Sequence, residues 1–135
     1  MKKVHDAVIF KASNNLIKSL KICEPFLTYG FPTREIISQM VHKRAYCKIA
    51  NEYQPLKSNA IVEEHLAQFG LICIEDIVIE LFKGGKNIED VREFLGAFKM
   101  TKPHNGYGDK TKPYKNGGAW GFRGAKINDL VKTMI

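Results

Sequence analysis

Seventeen consecutive residues, KPHNGYGDKTKPYKNGG from Lys102 to Gly118, contain no Ala, Val, Leu, Ile, Met or Phe. They hold four lysines, four glycines, two prolines, two tyrosines and one acid. Such a stretch cannot build a core of its own, so the core must come from the rest of the chain. The segment itself must be satisfied by water or by a polar partner.

The charge of the chain is concentrated in the same place. From Lys99 to Lys126 there are seven cations against Asp109 alone, which accounts for nearly all of the net +7. Residues 1–98 are close to neutral. An excess of this kind speaks to partners rather than to fold. The remaining sequence suits a globular protein: 135 residues with 44% hydrophobic content suffice for one domain or two fused half-domains.

Cys23, Cys47 and Cys73 are an odd number, far apart, with no CxxC pair. This argues against a disulfide framework and a zinc site, and the apolar neighbours of each suggest buried, reduced thiols. The longest apolar run, LICI before Glu75, is too short to span a bilayer. His5 and Asp6 interrupt what could have been the apolar region of a signal peptide. The composition therefore suggests a reduced compartment, cytosol or nucleus.

Periodicity divides the chain into short elements. Ala7–Phe10 reads as a strand. Ser13 reads as the N-cap of a helix bearing Leu16, Ile17, Leu20 and Cys23, which Pro25 ends. Phe26–Phe31 alternates as a strand does. Thr33 then opens a helix with Ile36, Ile37, Met40 and Val41 on one face. That helix closes on His42, Lys43 and Arg44, cations suited to the negative end of its dipole. Ala45–Ala50 reads as a strand or link, and Ser58–Phe69 as a helix ended by Gly70. LICI (71–74) reads as a short buried strand, followed by a helix ending at Gly84–Gly85. Asn87 with Asp90 suggests a capping box for the next helix. Residues 99–125 have no apolar period, and a final amphipathic helix carries Ile127, Leu130, Val131 and Met134.

Several chemistries are disfavoured by spacing. A phosphate loop starting at Gly118 would need glycine where Arg123 stands, and no Gly-Lys-Ser/Thr follows. GFRG (121–124) matches the two-glycine pattern of a KH loop, but so short a pattern has little weight. His5, His42, His65 and His104 have no partner at metal-ligand spacing. The acidic pairs Glu63–Glu64 and Glu75–Asp76 fit solvated helix surfaces and helix starts. No acid, base and nucleophile form a pattern that suggests an enzyme.

What stands out is the interleaving of lysine with glycine, proline and rings in the last third. Cations neutralise phosphates, flat rings stack on exposed bases, and glycine lets backbone approach a sugar–phosphate surface. This points to nucleic acid, with residues 99–125 taking their shape on binding. The cluster HKRAYCK (His42 to Lys48) offers a second contact, although dipole compensation explains its cations equally well.

At these residues the chain resembles the universal L-thirty family of large-subunit ribosomal proteins in its eukaryotic L-seven form. The blocks carrying the resemblance are KASNNLIKSLKICEPFLTYGFP, HKRAYCKI, QFGLICIEDIVIELF, FLGAFKMTKPHNG and GGAWGFRGAKINDLV, in family order from about Ala7 to Ile135. Ala45 and Cys47 depart from it, standing where the family usually has glycine. The resemblance implies an α/β fold, an α+β sandwich-like core of short strands and helices related to the ferredoxin-like split βαβ, with an extended basic C-terminal segment. It implies a structural constituent of the large ribosomal subunit acting in translation, with no catalytic role and no cofactor. The implied partners are large-subunit rRNA and neighbouring ribosomal proteins, with no membrane, metal or small-molecule substrate. The implied location is cytoplasmic, with assembly in the nucleus or nucleolus.

On this reading residues 4–50 form the family's α/β core, 51–98 a helical second half, and 99–135 an RNA-binding extension. The resemblance implies a further strand–helix unit ahead of Met1, either dropped in a reduced version or lying in sequence upstream. If the chain is whole, Ala7–Phe10 is expected to be an exposed edge or paired with a neighbour. The residues expected to meet RNA are Lys43, Arg44, Tyr46, Lys48, Lys99, Lys102, His104, Lys110, Lys112, Tyr114, Lys115, Trp120, Arg123 and Lys126. An extra-ribosomal or assembly-related RNA-binding protein, and a protein–protein adaptor with a basic tail, are the alternatives.

Overall fold

The computed structural model describes residues 4–135. The chain is mixed α/β and forms two compact units that interleave along the sequence. The first comprises the N-terminal stretch to Lys11 and Arg34–Thr101, with Ile135; the second comprises Ala12–Thr33 and Lys102–Met134.

In the first unit, β1 (Asp6–Ala7) pairs antiparallel with β5 (Phe98–Lys99). The expected strand over Ala7–Phe10 is thus shorter and shifted, with a partner on one side. β3 (Tyr46–Ile49) and β4 (Glu52–Pro55) form a hairpin. A bridge from Cys47 to Leu95 and a bond from Gly96 N–H to the Tyr46 carbonyl (3.0 Å) join it to the segment leading into β5. Two small antiparallel sheets, β3-β4 and β1-β5, linked only through the segment just before β5, are consistent with a ferredoxin-like core.

Helices α2 (Arg34–Arg44) and α4 (Ile74–Lys83) supply much of this core. Ile36, Ile37, Met40 and Val41 are buried as their spacing requires, as are Ile77, Val78 and Leu81. Each such side chain contributes roughly 1.5–3 kcal/mol. α3 (Asn59–Leu66) continues as a 3-10 turn and stops at Gly70, whose φ of 80° is left-handed. α5 (Ile88–Phe94) buries Val91 and Phe94.

Three expectations are corrected here. LICI is no strand: Leu71 is buried, Ile72 is exposed, and Ile74 already begins α4. The capping box lies at α4 instead of α5, because Asp76 Oδ2 accepts the N–H groups of Ile72 (3.1 Å) and Cys73 (3.3 Å). Asn87 precedes α5 but makes no side-chain cap bond to it, its amide donating instead to the Phe69 carbonyl (3.2 Å). Among the cysteines, Cys47 is buried, Cys73 is intermediate and Cys23 is exposed. Burial pushes the Cys47 thiol above its ordinary range.

The second unit holds α1 (Asn14–Cys23), β2 (Thr28–Tyr29), β6 (Asp109–Pro113), β7 (Gly118–Phe122) and α6 (Ile127–Met134). Ser13 caps α1, its hydroxyl accepting the Leu16 N–H (3.2 Å). β7 is the centre of a parallel three-stranded sheet in the order β2-β7-β6. The segment expected to depend on RNA for its shape is therefore folded against its own chain. Gly118, Ala119 and Gly121 are buried, and β7 pairs with β2, more than ninety residues earlier. Glycine at position 30 permits this closure: a Cβ there would lie 2.3 Å from the Gly124 carbonyl oxygen.

Candidate nucleic-acid interface

The residues expected to meet RNA fall into two sets, one on each unit. On the first unit, α2 ends with Lys43 exposed and Arg44 half-buried, and Tyr46 opens β3 half-buried. Lys48, next on the exposed side of β3, is directly opposite Tyr53 of β4. Lys99 of β5 donates to Asp6 Oδ2 (3.1 Å), a carboxylate that is 7% exposed.

Lys48 and Lys99, separate in sequence, line one groove of about 470 Å³. The same groove is walled by Tyr53, Phe10, Arg92 and Glu93, none of which the sequence singled out. The Arg92 guanidinium sits 4.4 Å from the centre of the Phe10 ring and pairs with Glu89 one turn earlier. Tyr53 is 59% exposed, and a Cβ on Gly96 would collide with its ring. Glycine at 96 is thus what lets the backbone lie against that ring. The sequence offers little signal for this strand: EYQP carries one ring among polar residues and a proline, and all four residues are exposed.

Of the cations expected to meet RNA, those exposed on the second unit are Lys102 and His104 in the loop before β6, Lys110 and Lys112 on β6, Lys115 in the turn after it, and Lys126 before α6. Trp120 is half-buried on β7, in register with Pro113. The carboxylate of Asp109 accepts bonds from the Thr111 hydroxyl (2.6 Å) and N–H (2.9 Å), which hold it below the usual aspartate range and keep it charged beside Lys110.

Arg123 is directed inward. Its Nε donates to Thr28 Oγ1 (2.7 Å), and Nη2 to the carbonyls of Tyr107 (2.9 Å) and Ala119 (3.0 Å). The guanidinium lies 4.6 Å from the centre of the Tyr114 ring. Burial is the main influence on its pKa and pulls it below the ordinary arginine value, with the two tyrosines opposing. Arg123 and Tyr114 thus tie β2, β7 and the loop before β6 together. Tyr29, Phe31 and Phe122 form a further ring cluster with centroids 5.6 Å apart along Tyr29–Phe122 and Phe31–Phe122.

Among the described residues no group of three histidine, cysteine or acidic side chains could hold a metal ion. No helix among them is long and apolar enough to cross a membrane. The chain is thus an α/β fold whose two units each present exposed lysines beside aromatic rings.

No protein-family model matches the chain. It is, however, similar over its whole length to large ribosomal subunit proteins uL30. It is 36% identical over 135 residues to that of Tetrahymena thermophila, covering 100% of this chain and 56% of the relative. It is 37% identical over 132 residues to that of Dictyostelium discoideum, covering 98% and 54%. To that of Sus scrofa it is 34% identical over 134 residues, covering 99% and 54%. The chain spans about half the length of the curated relatives it matches. The resemblance carried by the sequence blocks extends across the whole chain.

Proposed function

We propose that this chain is a structural, non-catalytic constituent of the large ribosomal subunit that binds large-subunit rRNA and packs beside other ribosomal proteins. The observation that carries this reading is similarity, over nearly all of this chain and about half of each relative, to proteins named as large ribosomal subunit proteins uL30. The exposed lysines supply its chemistry. Lys43 and Lys48 on the first unit, and Lys102, Lys110, Lys112, Lys115 and Lys126 on the second, neutralise phosphates. His104 adds a donor and Trp120 a ring. Lys99 contributes from its pair with Asp6, and Arg44 and Tyr46 shape the end of α2. Arg123 and Tyr114 act as positioning residues that hold β6 and β7 so that their lysines face outward. Recognition is by charge and shape, with little reading of base identity. The site of action is the cytoplasmic ribosome, after nuclear assembly in a eukaryotic cell.

The test is cosedimentation. Tagged chain expressed in a eukaryotic cell should travel with large subunits through a high-salt wash and be released by ribonuclease. Chain that stays with RNA but leaves the subunit at high salt would favour the extra-ribosomal reading. Chain whose partners survive ribonuclease would favour the adaptor.

A further inference from the structure

We propose that the groove on the first unit is a site for one unpaired nucleotide, whose base stacks on Tyr53 and whose phosphate meets Lys48. The inference rests on the reading above that the partner is RNA, and assigns to this face a single-stranded element of it.

The hairpin register carries the argument. Lys48 and Tyr53 are directly opposed on β3 and β4, so their side chains leave the sheet on the same face. Ring and cation are then near neighbours, as base and phosphate are in a nucleotide. Tyr53 is 59% exposed, and its position against Gly96 limits its movement. A fixed aromatic face offers base stacking at low entropic cost. The groove volume, about 470 Å³, lies within the range of small-molecule sites, roughly 300–1,000 Å³.

The charges limit the occupant. Arg92 is paired with Glu89 and stacked on Phe10, and Lys99 is paired with Asp6. Lys48 is the groove cation with no ion pair among the described residues. Glu93 on the same wall repels a second phosphate. One cation, one ring and one repelling carboxylate fit a single nucleotide better than a duplex backbone. A peptide strand adding to the edge of β4 would meet Pro55, which has no N–H to offer.

The experiment measures binding of the full chain to a short unstructured single-stranded RNA and to a blunt RNA duplex, by fluorescence anisotropy. Tyr53→Ala should weaken single-strand binding by about 5- to 150-fold, the range given by the loss of one stacked base. Tyr53→Phe should retain it, and duplex affinity should not change with either variant. Lys48→Gln should lower the single-strand salt slope by about 0.7. The exposure of Tyr53 makes loss of fold unexpected, and circular dichroism of Tyr53→Ala checks this. Tyr53→Leu, which keeps apolar bulk without a ring, must lose binding as Ala does. Equal single-strand affinity for Tyr53→Ala and the parent overturns the proposal, as does an equal loss on both RNAs. Displacement of the single strand by an acidic peptide as readily as by unlabelled RNA also overturns it. If the parent binds both RNAs but is insensitive to Tyr53, only the groove assignment falls. If the parent binds neither RNA, the reading of the partner falls with it.

Discussion

Arginine has five N–H donors, and Arg123 commits three hydrogen bonds to Thr28, Tyr107 and Ala119 of its own chain. In the sequence it reads as one more cation of a basic ribbon; only the fold shows that it ties the ribbon down. Lysine has no planar fork and cannot serve all three acceptors. Arg123→Lys should cost about 2 kcal/mol, given that a bond to a charged group contributes roughly 1.5–3 kcal/mol and this one is partly screened. A urea titration measures the loss. Arg123→Gln should leave the salt slope of single-stranded RNA binding unchanged, whereas a phosphate contact would lower it by about 0.7. Asp76 makes a pH prediction. The Ile72 N–H first, then Cys73, hold its folded pKa below the ordinary 3.8. A lowered folded pKa gives a contribution that is full above the unfolded value and lost as pH falls through the folded one. Asp76→Ala should therefore cost about 1 kcal/mol at neutral pH. The gap from the parent should close as the pH is taken below 3.8, read from thermal midpoints across a pH series.

The helices were legible because their apolar periods are local, as in the stripe Ile36, Ile37, Met40 and Val41. LICI misled because a four-residue apolar run has no period of its own, and Ile74 belongs to the stripe of α4. The sheets were largely illegible. β2 and β7 are two and five residues long, and their partners lie more than ninety positions apart. What the sequence does show is glycine, and its meaning emerges only in the pairing. A Cβ at Gly118 would lie 1.8 Å from the Lys112 carbonyl oxygen, so β6 must part from β7 in Gly118→Ala. Amide exchange should then speed up over residues 109–122 while α2 and α4 keep their protection. The hairpin β3–β4 turns through Ala50 and Asn51, with φ of 51° and 66°. Alanine pays about 1–2 kcal/mol for the left-handed region, which asparagine tolerates better. Ala50→Asn should therefore raise stability by about 1 kcal/mol, visible as a thermal midpoint about 3–4 °C higher.

At the scale of the whole chain the sequence located the charge correctly but not the groove. A tyrosine in EYQP and an arginine in α5 come to line one groove only when a hairpin and a bridge bring them to one face. The lysines, in contrast, are legible singly, because exposure follows from composition alone. This makes the two charged surfaces separable by experiment. Each phosphate neutralised on a single strand contributes about 0.7 to the slope of log affinity against log salt. Replacing Lys110, Lys112 and Lys115 by glutamine should lower that slope by about 2 if all three meet phosphate. Replacing Lys43 and Lys48 should lower it by about 1.4. None of these side chains is buried, so neither set should alter the unfolding free energy from urea titration by more than about 0.5 kcal/mol. If one RNA engages both surfaces at once, the two reductions add in the fivefold variant. If the surfaces compete for the same strand, the fivefold variant loses no more than the larger of the two. A slope unchanged by either set would mean that lysine density in this chain serves solubility, and that the polyanion reading of its surface is wrong.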